Sequence, residues 1–251
     1  MKFSANLGYL WADLALPNAI RAAKRAGFDA VECHFPYDQP AAEVKLALGE
    51  TGLPMLGVNT AKGPHTGDFG LAAIVGRESE ARMAVDQAFD YAHEIGAEAV
   101  HVMAGCAEGP AAEAAFIATL KYASDRAMDR MVLIEPLNAH DVPGYFLRDT
   151  GVAADIISRL GRSNVKLMFD CYHVARTEGD VAARFHALLP IIGHVQFAGV
   201  PHRGAPDRGD LDYRAVFGEI ARTGWQRPLG AEYRPDGPVE AGLGWMKWDV
   251  T

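Results

Sequence analysis

No stretch of this chain approaches the roughly 18 consecutive apolar residues of a membrane span. Ser4, Asn6 and Asp13 also interrupt any apolar core that a secretory leader would need. Cysteine is sparse: Cys33, Cys106 and Cys171 form no CxxC pair, and their odd number speaks against a disulfide-framed secreted scaffold. Each lies in or just after an apolar run, which predicts buried thiols. Together these features make the cytoplasm the expected compartment. Positive charge is short as well, with 24 Lys and Arg against 32 Asp and Glu for a net charge of -8. Nucleic acid and anionic membrane would each need a basic stripe, so neither is an expected partner. Also missing is a Gly-x-Gly-x-x-Gly after the first strand-like segment, which removes the main support for a dinucleotide fold.

What is present is the composition of a soluble globular protein, 49% hydrophobic and 22% charged. A length of 251 residues suits two small domains or one barrel of about 250 residues. No linker, low-complexity segment or composition break divides the chain, so one domain over residues 1–251 is expected. Strand-like runs fall at Phe3–Asn6, Ala30–Cys33, Met55–Val58, Ala99–Met103, Met131–Glu135, Lys166–Asp170, His194–Phe197 and Gly230–Tyr233. Helical spacing fills the gaps at Pro17–Arg25, Ala41–Glu50, Glu78–Ile95, Ala111–Met128, Gly151–Leu160, Val181–Leu188 and Tyr213–Arg222. The Glu78–Ile95 pattern puts Met83, Ala84, Ala88, Tyr91 and Ala92 on one apolar stripe. Gly27, Gly96, Gly161 and Gly224 are helix stops. This alternation predicts an α/β protein, a single (β/α)8 TIM barrel. The polar stretches Thr60–Gly76 and Val200–Asp210 then become loops at its catalytic face.

Glu135, Asp170, Gln196 and Glu232 each close one of those apolar runs. Side chains alternate along a strand, so Met131, Leu133 and Glu135 share a face, as do His194 and Gln196. In a closed parallel sheet all four polar ends converge at one mouth. Converging carboxylates in an apolar setting would be strongly desolvated, so a cation is implied. Three carboxylates and one amide make an all-oxygen donor set, which favours Mg²⁺ or Mn²⁺ over Zn²⁺.

Ile134-Glu-Pro-Leu-Asn138, Phe169-Asp-Cys-Tyr-His173, Gly193-His-Val-Gln196, Pro201-His-Arg203 and Gly230-Ala-Glu-Tyr233, in this order, resemble the hydroxypyruvate isomerase family. That family is part of the xylose-isomerase-like barrel superfamily, alongside sugar epimerases and endonuclease IV. The resemblance runs from Phe3-Ser-Ala-Asn-Leu7 to Ala241-Gly-Leu-Gly-Trp245, nearly the whole chain. It implies that Glu135, Asp170, Gln196 and Glu232 hold a divalent metal, and that Glu135 and Glu232 also transfer protons. The implied reaction is aldose–ketose isomerisation of a small oxo-acid, hydroxypyruvate to tartronate semialdehyde. A metal chelating the substrate oxygens would stabilise the enediolate, while the two carboxylates act as base and acid.

A carboxylate-bearing substrate needs a cationic anchor, and Arg203 in the loop after the seventh strand is the first candidate. His173, three residues past Asp170, is the expected neutral contact to substrate oxygens, and Asn6 is expected to line the pocket floor. His194 is read as a satisfied core histidine, and Trp225, Trp245 and Trp248 as packing. Two departures from the family pattern, Gly199 after Gln-x-Ala and the loop Asn59-Thr-Ala-Lys-Gly-Pro-His-Thr-Gly-Asp-Phe-Gly, fall where the substrate pocket is shaped. Alternative readings on the same site are a 2-oxo-tetronate isomerase and a ketose 3-epimerase. The related epimerases usually carry histidine at the Gln196 position, which disfavours the latter. A sugar-acid-binding sensor is the non-enzyme alternative, disfavoured because both proton-transfer acids are present. The expected partner is a small oxo-acid or sugar; a homo-oligomer is compatible with the sequence.

Overall fold

Runs such as Met131-Val-Leu-Ile are too continuously apolar for a sheet with one wet face, and parallel strands covered on both sides are their natural home. The computed structural model describes residues 1–249 and builds that arrangement. Its strands are β1 (Phe3–Asn6), β2 (Ala30–Glu32), β3 (Val58–Asn59), β4 (Ala99–His101), β5 (Met131–Ile134), β6 (Val165–Asp170), β7 (Ile192–Phe197) and β8 (Leu229–Ala231). They pair in parallel in the order β2-β1-β8-β7-β6-β5-β4-β3. The ring closes between β2 and the segment ahead of β3, where Val31 bridges Met55 and Cys33 N–H donates to the Gly57 carbonyl at 3.2 Å. The result is a single (β/α)8 barrel, as the alternation predicts.

The helices are α1 (Leu16–Ala26), α2 (Ala41–Thr51), α3 (Glu78–Ile95), α4 (Gly109–Arg126), α5 (Thr150–Leu160), α6 (Cys171–Thr177), α7 (Val181–Leu188) and α8 (Tyr213–Arg222). Asp149, Asp180 and Asp212 cap α5, α7 and α8 by accepting backbone N–H groups. Gly27 ends α1 at φ 92°, a left-handed position where a Cβ would be strained. After β8 the layer is completed by a 3-10 stretch, Val239–Lys247, instead of an α-helix. Its Trp245 is almost fully buried, with ring centroids 4.9 Å from Phe3 and 5.3 Å from Phe197. Inside the barrel, Ala99, Leu133 and Met168 form a separate small core on which the site rests.

Four expectations need correction. Met55–Val58 is not one strand: residues up to Gly57 pair toward β2, and only Val58–Asn59 pairs with β4. Met83 is 63% exposed, because the buried stripe of α3 runs through Ala84, Ala88, Ala92 and Ile95, one residue round the helix. Cys106 is exposed in the loop after β4, whereas Cys33 and Cys171 are buried. The seven-residue α6 lay outside the predicted helices, since it begins directly at the end of β6 and is too short to show a period.

Candidate active site

Strand geometry brings the four strand-end residues to one mouth. Asp170 and Gln196 are register partners on adjacent strands, while Glu135 and Glu232 sit one residue past β5 and β8. All four are buried, none more than 5% exposed. Asp170 doubles as the N-cap of α6: its Oδ1 accepts the Tyr172 N–H at 2.8 Å, which turns Oδ2 toward the site.

Glu135 Oε1, Asp170 Oδ2 and Gln196 Oε1 are buried and have no hydrogen-bond partner among the described residues. Unsatisfied buried acceptors are costly, and burial plus repulsion shows in the acidities of the two carboxyls. Burial first, then the neighbouring Glu232 and Asp170 charges, hold the Glu135 carboxyl well above the usual carboxylate range. Burial likewise pushes Asp170 up to about 7, with Arg203 pulling it down and Glu232 pushing it further up. A cation would relieve both the unpaired acceptors and the repulsion, so this donor set fits a hard divalent metal.

Glu232 differs from the others. Its Oε1 meets His34 Nε2 at 2.8 Å and its Oε2 meets an Arg203 amino group at 2.8 Å. Burial alone would raise its pKa, but Arg203 and His34 outweigh burial and bring the carboxyl down to about 2. Arg203 itself has only 12% of its side chain exposed and also lies 3.6 Å from Asp170 and 3.8 Å from Asp141. Its guanidinium is stacked between the Tyr9 and Tyr172 rings, 5.1 Å from each centroid. The residue adopts φ 56°, a left-handed conformation that costs a non-glycine residue about 1–3 kcal/mol and is typical of functional loops.

His173, on α6, places Nε2 3.6 Å from Asp170 and 3.8 Å from Glu135, so Glu135, Asp170 and His173 form a compact ligand-like cluster. The far side of the ring decides its role. Nδ1 faces the Asn138 backbone N–H at 3.0 Å and the Asn138 side-chain amide at 2.7 Å. The Asn138 Oδ1 is held by the N–H groups of His140 and Asp141, which leaves its NH2 toward the ring. Nδ1 is therefore an acceptor, and Nε2 carries the proton of the neutral ring. Burial keeps the ring neutral by lowering its pKa well below the ordinary value. An Nε2–H group donates; it does not ligate.

Asn6, at the end of β1, is buried at the floor, with Nδ2 donating to Glu32 at 3.0 Å and Oδ1 accepting from Gly8 N–H at 2.9 Å. Three residues outside the sequence-predicted set also belong to the site. Glu32, at the end of β2, is buried and accepts from Gln196 Nε2 at 2.9 Å and from Asn6, and pairs with His194. His34 holds Glu232. His101, at the end of β4, has Nδ1 3.6 Å from Glu135, and burial drives its pKa to about 3. Glu32 and His101 end β2 and β4 in the structure, but in the sequence Cys33 and Val102-Met-Ala104 continue the apolar runs past them, so no strand exit marks them there. A surface cavity of about 800 Å³ lies elsewhere, beside Cys106, Gly109 and Phe146, and the strand-end residues do not line it.

Residues 20–248 match the model of a family described as xylose isomerase-like TIM barrel. The chain is 40% identical over 253 residues to the 2-oxo-tetronate isomerase of Cupriavidus necator, covering 98% of this chain and 97% of the relative. It is 35% identical to the hydroxypyruvate isomerase of Escherichia coli, covering 98% of each. The crystal structure of AP endonuclease, family 2 from Brucella melitensis superposes with a TM-score of 0.94 at 36% identity, covering 98% of this chain and 97% of that one.

Proposed function

The chain belongs to the xylose isomerase-like TIM barrel family, and from that premise we propose that it is a divalent-metal-dependent isomerase of a small oxo-acid. The observation that carries the reading is the set of three buried, unpartnered oxygens, on Glu135, Asp170 and Gln196, beside the Glu232 carboxylate. When bound by these four residues, Mg²⁺ or Mn²⁺ would supply Lewis-acid stabilisation of negative charge developing on substrate oxygens.

The chain's own groups do the rest. Glu135 and Glu232 follow β5 and β8, three strands apart round the ring, so they reach a bound substrate from different sides. One removes the proton from the hydroxyl-bearing carbon and the other returns a proton to the former carbonyl carbon, while the hydroxyl proton passes to the former carbonyl oxygen. Each such positioned group contributes roughly 10²–10⁴-fold. His173 Nε2–H donates to a substrate oxygen and, being neutral, does not repel the cation. The Arg203 amino group that approaches Asp141 only to 3.8 Å retains donor capacity for a substrate carboxylate. Tyr9 and Tyr172 fix the plane in which that guanidinium presents its N–H groups.

Two substrate lengths are in play. The Escherichia coli relative supports hydroxypyruvate, giving tartronate semialdehyde, while the higher identity to the Cupriavidus necator enzyme supports a four-carbon 2-oxo acid. The nuclease name of the Brucella melitensis protein is not carried over, since a net charge of -8 opposes binding of a polyanion. The test is turnover of hydroxypyruvate and of 2-oxo-tetronate by metal-stripped protein, with and without Mg²⁺ or Mn²⁺, followed by NMR. Metal-dependent isomerisation of either acid supports the proposal. Stoichiometric metal binding with neither acid converted rejects the substrate class and keeps the cation site.

A further inference from the structure

A glutamine side chain has nearly the same shape with its oxygen and nitrogen exchanged, so only its hydrogen-bond partners decide which atom faces a ligand. For Gln196 that partner is Glu32, a carboxylate only 4% exposed and outside the group of four strand-end residues. Glu32 Oε1 accepts from Gln196 Nε2 at 2.9 Å and from Asn6 Nδ2 at 3.0 Å. Its Oε2 takes a longer bond from Ser4 Oγ, 3.4 Å, and pairs with His194 Nε2. Asn6 has no freedom to turn, because its Oδ1 is held by the Gly8 N–H at 2.9 Å. Opposite, on β8, Gly230 leaves the space this pair fills. A Cβ at Gly230 would stand 2.7 Å from Glu32 Oε1 and 3.0 Å from Gln196 Cγ.

We propose that Glu32 is a positioning residue: it binds the NH2 group of Gln196 from below and so turns the amide oxygen toward the cation site. An ionised carboxylate only accepts, so the flipped amide would set oxygen against oxygen at the same separation. The orientation held here leaves Gln196 Oε1 buried and unpartnered among the described residues, on the strand position paired with Asp170. Fixing the ligand atom this way replaces a two-fold choice of amide orientation with one. Groups that orient a metal ligand typically alter metal affinity about 10–100-fold when removed. The inference rests on the reading of Glu135, Asp170, Gln196 and Glu232 as a divalent-cation site.

The test is Mn²⁺ affinity of the full chain, read by electron paramagnetic resonance of free Mn²⁺, with circular dichroism as the folding control. Glu32→Gln is isosteric but offers its own NH2 group, so it no longer dictates the orientation of Gln196. Its Mn²⁺ Kd is expected to rise about tenfold or more. Gln196→Glu alone sets two carboxylates face to face and is expected to bind more weakly than the swap. In the swap, Glu32→Gln with Gln196→Glu, the ligand no longer needs orienting and the local charge matches that of the natural pair. It is expected to bind Mn²⁺ at least about tenfold more tightly than Glu32→Gln alone.

Folded Glu32→Gln protein with the natural Kd overturns the proposal, as does a folded swap that recovers nothing. Should Glu32→Gln fail to fold, the swap is compared with Gln196→Glu, and equal affinities overturn it. Natural protein that binds no Mn²⁺ overturns the cation-site reading together with this inference. Mn²⁺ binding without conversion of any oxo-acid rejects only the proposed substrate class.

Discussion

The Asn138 backbone N–H points at His173 Nδ1 from 3.0 Å, and that one contact sets which ring nitrogen faces the mouth as a donor. The consequence separates two roles that geometry alone confuses, since His173 Nε2 lies within 4 Å of two carboxylates. A donor to substrate contributes to turnover; a ligand contributes to metal content. His173→Ala is expected to keep full Mn²⁺ stoichiometry while lowering kcat/KM by roughly 10–100-fold, the value of a hydrogen bond of about 1.5–3 kcal/mol to a charged group. Loss of bound Mn²⁺ in folded His173→Ala protein would return the histidine to the ligand set.

Glu232 is clamped by His34 on one oxygen and Arg203 on the other, so its carboxylate is placed before substrate arrives. Glu232→Gln retains the shape and loses the charge and the proton acceptor. It should reduce turnover by at least about 10²–10⁴-fold while the barrel folds normally by circular dichroism. Near-natural rates would remove Glu232 from proton transfer.

Asp170 has a pH signature. Its folded pKa is raised from 3.8 to about 7 by burial, so in metal-free protein ionising it works against the folded state. The penalty is absent below the unfolded pKa, grows as pH rises through the interval, and is complete above the folded value. Asp170→Asn keeps an N-cap for α6 but carries no charge. Metal-free Asp170→Asn should therefore melt higher than the natural protein at pH 8, with the gap closing toward pH 4. Its bound metal should fall sharply at every pH. An unchanged metal content, or a gap independent of pH, contradicts this account.

These groups show what a sequence can and cannot disclose here. Glu135, Asp170, Gln196 and Glu232 are legible because each interrupts an apolar run where a strand must surface, and the parallel ring makes their convergence unavoidable. Glu32 ends β2 in the structure, but Cys33 continues the apolar run past it in the sequence, and its meaning lies in partners 26 to 164 residues away. His34 is equally opaque, and although Arg203 is readable as a pocket cation, nothing local says that loops after β2 and β7 meet on the Glu232 carboxylate. The seven-residue α6 has no readable period, but Asp170 before it is a cap as well as a strand end, and that double role carries His173 into the site. Met83 illustrates the opposite failure, in which an apolar residue next to the buried stripe is assigned to it although one position round α3 leads to solvent.

Arg203 carries the cationic side of the site. Replacing it with Met leaves Glu232 and Asp170 without their counter-charge and is expected to destabilise the fold by roughly 3–5 kcal/mol. Arg203→Lys keeps a charge but loses the planar fork and the stacking between Tyr9 and Tyr172. It should fold, with KM for an oxo-acid raised about tenfold, the equivalent of 1.4 kcal/mol, and little change in Mn²⁺ affinity. Equal KM in Arg203→Lys and the natural protein would place the substrate carboxylate elsewhere.

The metal itself gives the broadest prediction, because the proposed donor set is three carboxylates and one amide with no ligating nitrogen or sulfur. Chelation should abolish activity, and Mg²⁺ or Mn²⁺ should restore it more fully than Zn²⁺, which prefers nitrogen and sulfur donors. The same ions should stabilise the fold by mass action, about 2.7 kcal/mol at a free concentration 100 times Kd. The thermal shift reads the site without any assumption about substrate, and the turnover assay reads substrate once the ion is present. A shift with no turnover separates a sound site from a wrong substrate. Turnover that survives complete removal of metal would leave the three unpartnered oxygens of Glu135, Asp170 and Gln196 without the role proposed for them.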